Sequence, residues 1–334
     1  MYKINETHRR NIPLAGLRVL ALALVAVSWT QVAIAADYPA RPVNIIVPYA
    51  AGGVVDVITR SVTDKVSANW KQPIVILNRP GGNGYIGAAA MLNAPPDGYT
   101  LMAAAPYVIV APIIDPIAKF KYTDFVPAAL IGGPPNIFVV PESVPVKTLK
   151  EFVDYAKARP GQLNTSMLGL GTSHHLGTEA FLQATGLDIV SVPYKGSPQM
   201  IPDLVSGRLS FVLAPLSAAL PAIQSGRLKP LAINAKVRIP SLPDVPTLKE
   251  AGFSDDVVVM PWYGLVAPVG TPTEIVERIN VEVNKALADP AVRARLEGFG
   301  TVITPASRSE FEKLMADENV RWTKLVKQRG IVAN

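Results

Sequence analysis

Two glycine-bearing corners carry the residue types from which a binding site could be built. In Pro48-Tyr49-Ala50-Ala51-Gly52-Gly53-Val54-Val55-Asp56 a β-branched run ends, a glycine pair follows, and an amphipathic helical pattern begins. Backbone N–H groups at such a corner point outward and carry the positive end of the helix dipole, so an anion can be held without any basic side chain. The plainer reading is a tight turn whose glycines only avoid a clash, and spacing alone leaves the two even. Asp56 falls in the first helical turn, where a carboxylate either favours the dipole or reaches a ligand amine or hydroxyl. Gly169-Leu170-Gly171-Thr172-Ser173-His174-His175 has the same form, with Thr172 or Ser173 placed either to cap a helix or to touch a ligand. Val192-Pro193-Tyr194-Lys195-Gly196-Ser197 ends another strand and offers a ring, a hydroxyl and a mobile charge.

Other chemistries are poorly served. Gly52-Gly53 is followed by no Gly-Lys-Ser/Thr and is no dinucleotide fingerprint, so nucleotide use drops. A hydrolase using Ser173 with a histidine is a weak rival, because His175 stands where a nucleophile elbow needs its last glycine. His174 and His175 are adjacent, so on a helix they diverge by roughly 100° and would not chelate one metal together. With no cysteine and three histidines, metal chemistry has few ligands. No spaced carboxylate pair suggests an acid–base couple. Neither a catalytic residue nor a cofactor is expected, and Trp262 and Tyr263 read as core aromatics.

The elements that must position these loops are those of an α/β protein. The chain has 334 residues, 49% hydrophobic and 17% charged, enough for two globular domains with a cleft between them. Residues 1–35 read as a secretory signal peptide: a basic start (Lys3, Arg9, Arg10, Arg18), an apolar run from Leu17 to Val27 too short to span a bilayer comfortably, and Ala33-Ile34-Ala35 before a cleavage expected after Ala35. Their removal also takes Glu6, so the net charge of +6 falls to +3. No basic patch interleaved with aromatics follows, which argues against nucleic-acid binding.

After the signal, β-branched runs alternate with Gly/Pro loops and helical patterns. Strands are expected at 43–47, 74–77, 99–105, 137–140, 163–168, 189–193, 209–213, 230–234 and 257–260. Helices are expected at 54–70, 86–92, 149–159, 175–185, 198–206, 216–225, 273–288, 291–299 and 308–328. The last helices have little strand of their own and should pack back on the first domain. That gives a first domain of residues 36–139 plus 258–334, a second of residues 140–257, and a hinge at the two crossings.

Taken in order, Tyr38-Pro39-Ala40-Arg41-Pro42, the Gly-Gly-x-x-Asp loop, Asn78-Arg79-Pro80-Gly81-Gly82-Asn83-Gly84, Pro96-Asp97-Gly98-Tyr99-Thr100-Leu101, Gly171-Thr172-Ser173, Val192-Pro193-Tyr194-Lys195-Gly196, Leu242-Pro243-Asp244-Val245-Pro246-Thr247, Trp262-Tyr263-Gly264-Leu265 and Ala267-Pro268-Val269-Gly270-Thr271-Pro272 resemble the Bug family, the extracytoplasmic solute receptors of tripartite tricarboxylate transporters. The shared order spans nearly all of residues 37–334. The resemblance implies a two-domain periplasmic binding protein of the type II Venus-flytrap kind, each domain a sheet flanked by helices. It implies a monomer that closes on a small carboxylate and hands it to membrane permease subunits without altering it. A sensor role, presenting the solute to a membrane kinase, fits the same sequence. By resemblance, amides of the loop Ala50 to Gly53 and of Gly82-Asn83 take part in holding the ligand carboxylate, partly through ordered water, while Ser166, Gly171, Thr172, Ser173, Tyr194 and Lys195 close over it; Tyr49, Ala51, Gly52 and Asp56, within or flanking the first loop, are counted with the ligand-binding residues. Two departures, Val55 before the aspartate and Ala214 where many relatives have an acid, point to a less polar cargo than an amino acid.

Overall fold

The computed structural model describes residues 38–81, 84–169, 171–194, 196–254 and 257–332. The signal-peptide reading, Gly82, Asn83 and Lys195 therefore lie outside the described residues. Contacts divide the chain after Arg41, and the unit from Pro42 to Asn334 carries the fold.

The first strand, β1 (Val43–Val47), pairs in parallel with β2 (Ile74–Asn78) and β3 (Thr100–Ala104). Between them run helix α1 (Val54–Trp70) and helix α2 (Tyr85–Leu92). After β3 the chain forms a helix with no counterpart in the sequence reading, α3 (Tyr107–Ile114), and then a strand also missed there, β4 (Phe125–Gly133). The sheet is completed by β10 (Tyr263–Pro268), antiparallel to both β3 and β4, and by β11 (Val302–Ile303) at its edge, giving the order β11-β4-β10-β3-β1-β2.

Between β4 and β10 the chain builds two further sheets. An antiparallel set in the order β8-β5-β9 comprises β5 (Asn136–Pro141), β8 (Val212–Pro215) and β9 (Leu228–Asn234). A parallel pair joins β6 (Leu163–Leu168) to β7 (Ile189–Tyr194). Around them lie α4 (Leu149–Lys157), α5 (Ser173–Thr185), α6 (Ser197–Val205) and α7 (Leu216–Gln224). Residues 257–260, expected as a strand, are irregular, and the pairing run starts only at Tyr263. The strand expected at 209–213 begins at Val212.

Helices α8 (Thr273–Ala288), α9 (Pro290–Gly298) and α10 (Arg308–Arg329) finish the chain. In space α8 and α10 lie against β4 of the first sheet, and α9 against α1. One core gathers Ile46, Met102, Val108, Trp262, Phe311 and Trp322 under that sheet. A second, built on Phe138, Phe152, Phe181 and Phe211, sits beneath β5 and β8. Among the described residues, no helix is long and apolar enough to cross a membrane.

Candidate functional site

The first glycine corner is tied down from within. Asp56, almost fully buried, accepts the Gly52 N–H at 2.9 Å and the Arg60 Nε at 3.0 Å on Oδ2, and the Asn78 Nδ2 at 2.9 Å on Oδ1. Asn78 also donates from Nδ2 to the Tyr49 carbonyl at 3.1 Å, and Arg60 donates to Asn78 Oδ1 at 3.2 Å. Burial works against the charge on Asp56, but the Arg60, Gly52 and Asn78 bonds together hold its carboxyl below the usual range. The Gly53 N–H is spent on the Ala50 carbonyl at 3.1 Å. The glycine amides expected to face a ligand are thus engaged internally. What remains is the first turn of α1, Val54 to Asp56, whose N–H groups an α-helix leaves unpaired.

The second corner is held by its own cap. Thr172 precedes α5 and its Oγ1 accepts the His175 N–H at 3.3 Å, while the hydroxyl donates to the Leu168 carbonyl at 2.6 Å. Gly171 has φ +75°, a region side chains avoid, and a Cβ there would lie 3.0 Å from Val110 and 3.1 Å from Ile114. Only glycine lets this loop lie so close to α3. The Gly171 N–H donates to His175 Nδ1 at 3.1 Å, and Ser173 Oγ accepts from Asn136 Nδ2 at 3.4 Å.

Both corners reach one cavity of about 280 Å³. Helix α3 supplies a wall along a single face: Tyr107, Val110, Ala111, Ile114 and the capping residue Asp115, at i, i+3, i+4, i+7 and i+8. Three more phenols, Tyr49, Tyr85 and Tyr263, complete an aromatic lining. Tyr49 and Tyr107 meet edge to face, centroids 6.1 Å apart, and Tyr85 donates to Asp115 Oδ2 at 2.5 Å. A side chain at Gly84 would strike the Tyr107 ring at 2.7 Å, so that glycine admits the ring. Enclosure pushes all four phenols up, Tyr263 to about 12, so they stay protonated and donate.

Three helix starts open on this space: α1 at Val55, α3 at Ala105, Pro106 and Tyr107, and α5 at Thr172 and Ser173. Among the described lining residues there is no lysine, arginine or histidine.

Of the residues singled out in the sequence, Tyr49, Gly171, Thr172 and Ser173 come together here. Ala50, Ala51, Gly52, Gly53 and Asp56 form the corner behind Tyr49 and are not among the described wall. Ser166 is buried, its hydroxyl donating to Met200 Sδ at 3.0 Å, and the Tyr194 hydroxyl donates to Asp203 at 2.8 Å. Tyr263, expected as core, lines the cavity instead, whereas Trp262 is core. Ala214, in β8, is buried in a third core with Ile137, Leu216 and Ile233, so its lost acid does not decide the cavity's charge, and Asp115 places a carboxyl there.

Neither adjacent histidine serves Ser173. His174 Nε2 lies 2.9 Å from the Ser166 carbonyl, which can only accept, so that nitrogen carries the proton. Burial drives the ring down to about 4 and keeps it neutral. His175 Nδ1 accepts the Gly171 amide, so the two rings point to different partners.

Residues 58–331 match the family model described as tripartite tricarboxylate transporter family receptor. Protein BugT of Bordetella pertussis is 33% identical over 319 residues, covering 94% of this chain and 98% of that one. An R. palustris protein solved with adipate is 34% identical, with a TM-score of 0.75 over 89% of this chain and 99% of that one. MatC from Rhodopseudomonas palustris, solved with bound malate, is 31% identical, with a TM-score of 0.70 over 86% of this chain and all of that one.

Proposed function

Since this chain belongs to the tripartite tricarboxylate transporter receptor family and has the two-domain fold of periplasmic binding proteins, we propose that it captures a small organic carboxylate in the periplasm by hinge closure and delivers it to the transporter's permease. The observation that carries this reading is the convergence of three helix N-termini on one cavity that lacks basic side chains among its described lining. Each start presents the positive end of a helix dipole, roughly half a charge, and the first turn of α1 adds unpaired N–H groups, a match for one carboxylate. Adipate and malate in the relatives are ligands of that class.

The ligand touches Tyr49, Gly171, Thr172 and Ser173, with Tyr85, Tyr107 and Tyr263 added from the cavity wall. Ala50, Ala51, Gly52, Gly53 and Asp56 shape the first corner. Ser166 and Tyr194 support the second half of the site, and Gly82, Asn83 and Lys195 complete it. Residues 36–135 with 258–334 form one closing half and residues 136–257 the other, a boundary earlier than 139 because β5 (Asn136–Pro141) pairs with β8 and β9. The change of sheet between Gly133 and Asn136 supports the first crossing. The chain is exported with cleavage after Ala35, works as a monomer, and leaves its cargo chemically unchanged.

Thermal melts and small-angle scattering with a panel of carboxylates test this. A bound acid at about a hundred times its dissociation constant should stabilise the protein by about 2.7 kcal/mol and reduce its radius of gyration. An ester or amide in the panel should be recovered intact. A panel in which no carboxylate moves the melting temperature would refute the proposal.

A further inference from the structure

We infer that the cargo is a monocarboxylic acid with a flat apolar body, and that Asp115 is the residue that turns dicarboxylates away; this rests on the carboxylate-receptor reading above. The lining described for the cavity is mostly rings and aliphatic side chains: four tyrosines, with Val55, Val110, Ile114, Pro106 and Pro261 among the rest. Tyr49 and Tyr107 already stand edge to face, the arrangement a further aromatic ring extends most favourably. Rings and methyls suit an apolar body, and two of the four phenols already have their protons engaged, Tyr85 with Asp115 and Tyr107 with Met102 Sδ.

The charges are distributed unevenly along the wall. Helix α3 runs the length of it, roughly 12 Å from Tyr107 to Asp115 at 1.5 Å per residue. At its start lie Ala105, Pro106 and Tyr107, beside the Tyr49 corner from which α1 begins, so two positive helix ends gather there. The other end carries the negative end of the α3 dipole and the buried side chain of Asp115, which accepts the Tyr85 hydroxyl and, on Oδ1, the Ile117 N–H at 3.0 Å. The start of α5 lies beside Val110 and Ile114, but its Gly171 and His175 N–H groups are taken by His175 Nδ1 and Thr172 Oγ1, and no arginine, lysine or histidine among the described lining residues stands there to receive a second anion. One carboxylate is therefore stabilised at the α1–α3 end, and a second, at the far end of a linear diacid, meets a like charge in a buried site.

An α-amino acid gains nothing from Asp115. Its ammonium sits next to its carboxylate, not a helix length away. The cavity thus selects against diacids long enough to bring a second carboxylate towards Asp115, and offers an α-amino acid no partner for its ammonium.

Isothermal titration calorimetry on protein purified from the periplasm distinguishes the possibilities, with 4-methylbenzoate, terephthalate, adipate and aspartate as probes. The wild type should bind 4-methylbenzoate at least tenfold more tightly than terephthalate or adipate, and aspartate weakest. In Asp115→Asn, which keeps the side chain's shape and an acceptor for Tyr85, the ratio of terephthalate to 4-methylbenzoate affinity should rise at least tenfold. Tighter binding of adipate, terephthalate or aspartate by the wild type would overturn the cargo class while leaving the receptor reading intact. An unchanged ratio in a variant that melts cooperatively would overturn the role of Asp115. Failure of every acid to bind would bring down the receptor reading and this inference with it.

Discussion

Asp56 illustrates how a residue can be essential to a binding loop without facing the ligand. Its carboxylate gathers the Gly52 amide, the Arg60 guanidinium and the Asn78 amide, and Asn78 in turn holds the Tyr49 carbonyl. The aspartate of the first motif and the asparagine that opens the second are therefore parts of one knot that fixes where Tyr49 stands. Removing a buried, hydrogen-bonded acid leaves its donors unsatisfied, at about 1–3 kcal/mol for each buried group. Asp56→Ala should destabilise the protein by roughly 2–4 kcal/mol in urea denaturation and weaken carboxylate binding through the misplaced Tyr49 ring. An unaltered denaturation midpoint would show that the knot carries no weight. The pH dependence follows in sign. The folded state holds this carboxyl below its unfolded value, so its stabilisation is fully present above that value and is lost as pH falls through the folded one.

Helix α3 is where sequence reading and structure part most clearly, and where much of the site resides. Tyr107-Val-Ile-Val-Ala-Pro-Ile-Ile has the β-branched content of a strand and a proline in its interior, so local propensity points away from a helix. Pro106 at the cap and burial of Val108, Ile109 and Val110 in the first core override it. Periodicity was the available signal, since the cavity-facing residues fall on one helical face, but an eight-residue apolar run shows it poorly. The glycine corners were readable because backbone conformation constrains residue type there. The pairing of β10 with both β3 and β4 was not, since it depends on chain segments far apart in sequence. The same element offers a test of the close approach by Gly171. Gly171→Ala carries the left-handed strain of roughly 1–2 kcal/mol and also presses on Val110 and Ile114, whereas Gly186→Ala, at φ +65° with nothing within 4 Å, carries the strain alone. Chemical denaturation should show the larger loss for Gly171→Ala, and calorimetry should show weaker binding in that variant. Equal losses would mean that α5 and α3 do not touch as described.

At the scale of the whole chain, α10 joins distant parts of the fold. Arg329 pairs with Glu179 of α5 at 2.7 Å, and Gln328 accepts from Gln183. Arg321 donates to the Val258 carbonyl at 2.7 Å, and Glu318 Oε2 accepts the Trp262 Nε1–H at 2.7 Å, so the return segment before β10 is clasped by one helix. Glu318 is nearly enclosed, and burial drives its carboxyl up to about 7, against the pull of the Trp262 bond and of Arg321. Its sign is the reverse of that of Asp56. Between its ordinary value and about 7 the folded state holds a proton that the unfolded state has released, so unfolding releases a proton and stability falls as pH rises through this window. Above about 7 both states are ionised and this contribution is level. Spread over the whole window, the loss is about 3 kcal/mol at one pKa unit per 1.36 kcal/mol. Glu318→Gln retains an acceptor for the Trp262 indole and cannot ionise, so its melting temperature relative to wild type should climb from pH 5 to pH 7.5 and then hold steady. A constant difference across that range would mean that Glu318 titrates as an exposed acid does, and that water reaches the clasp between α10 and the segment leading into β10.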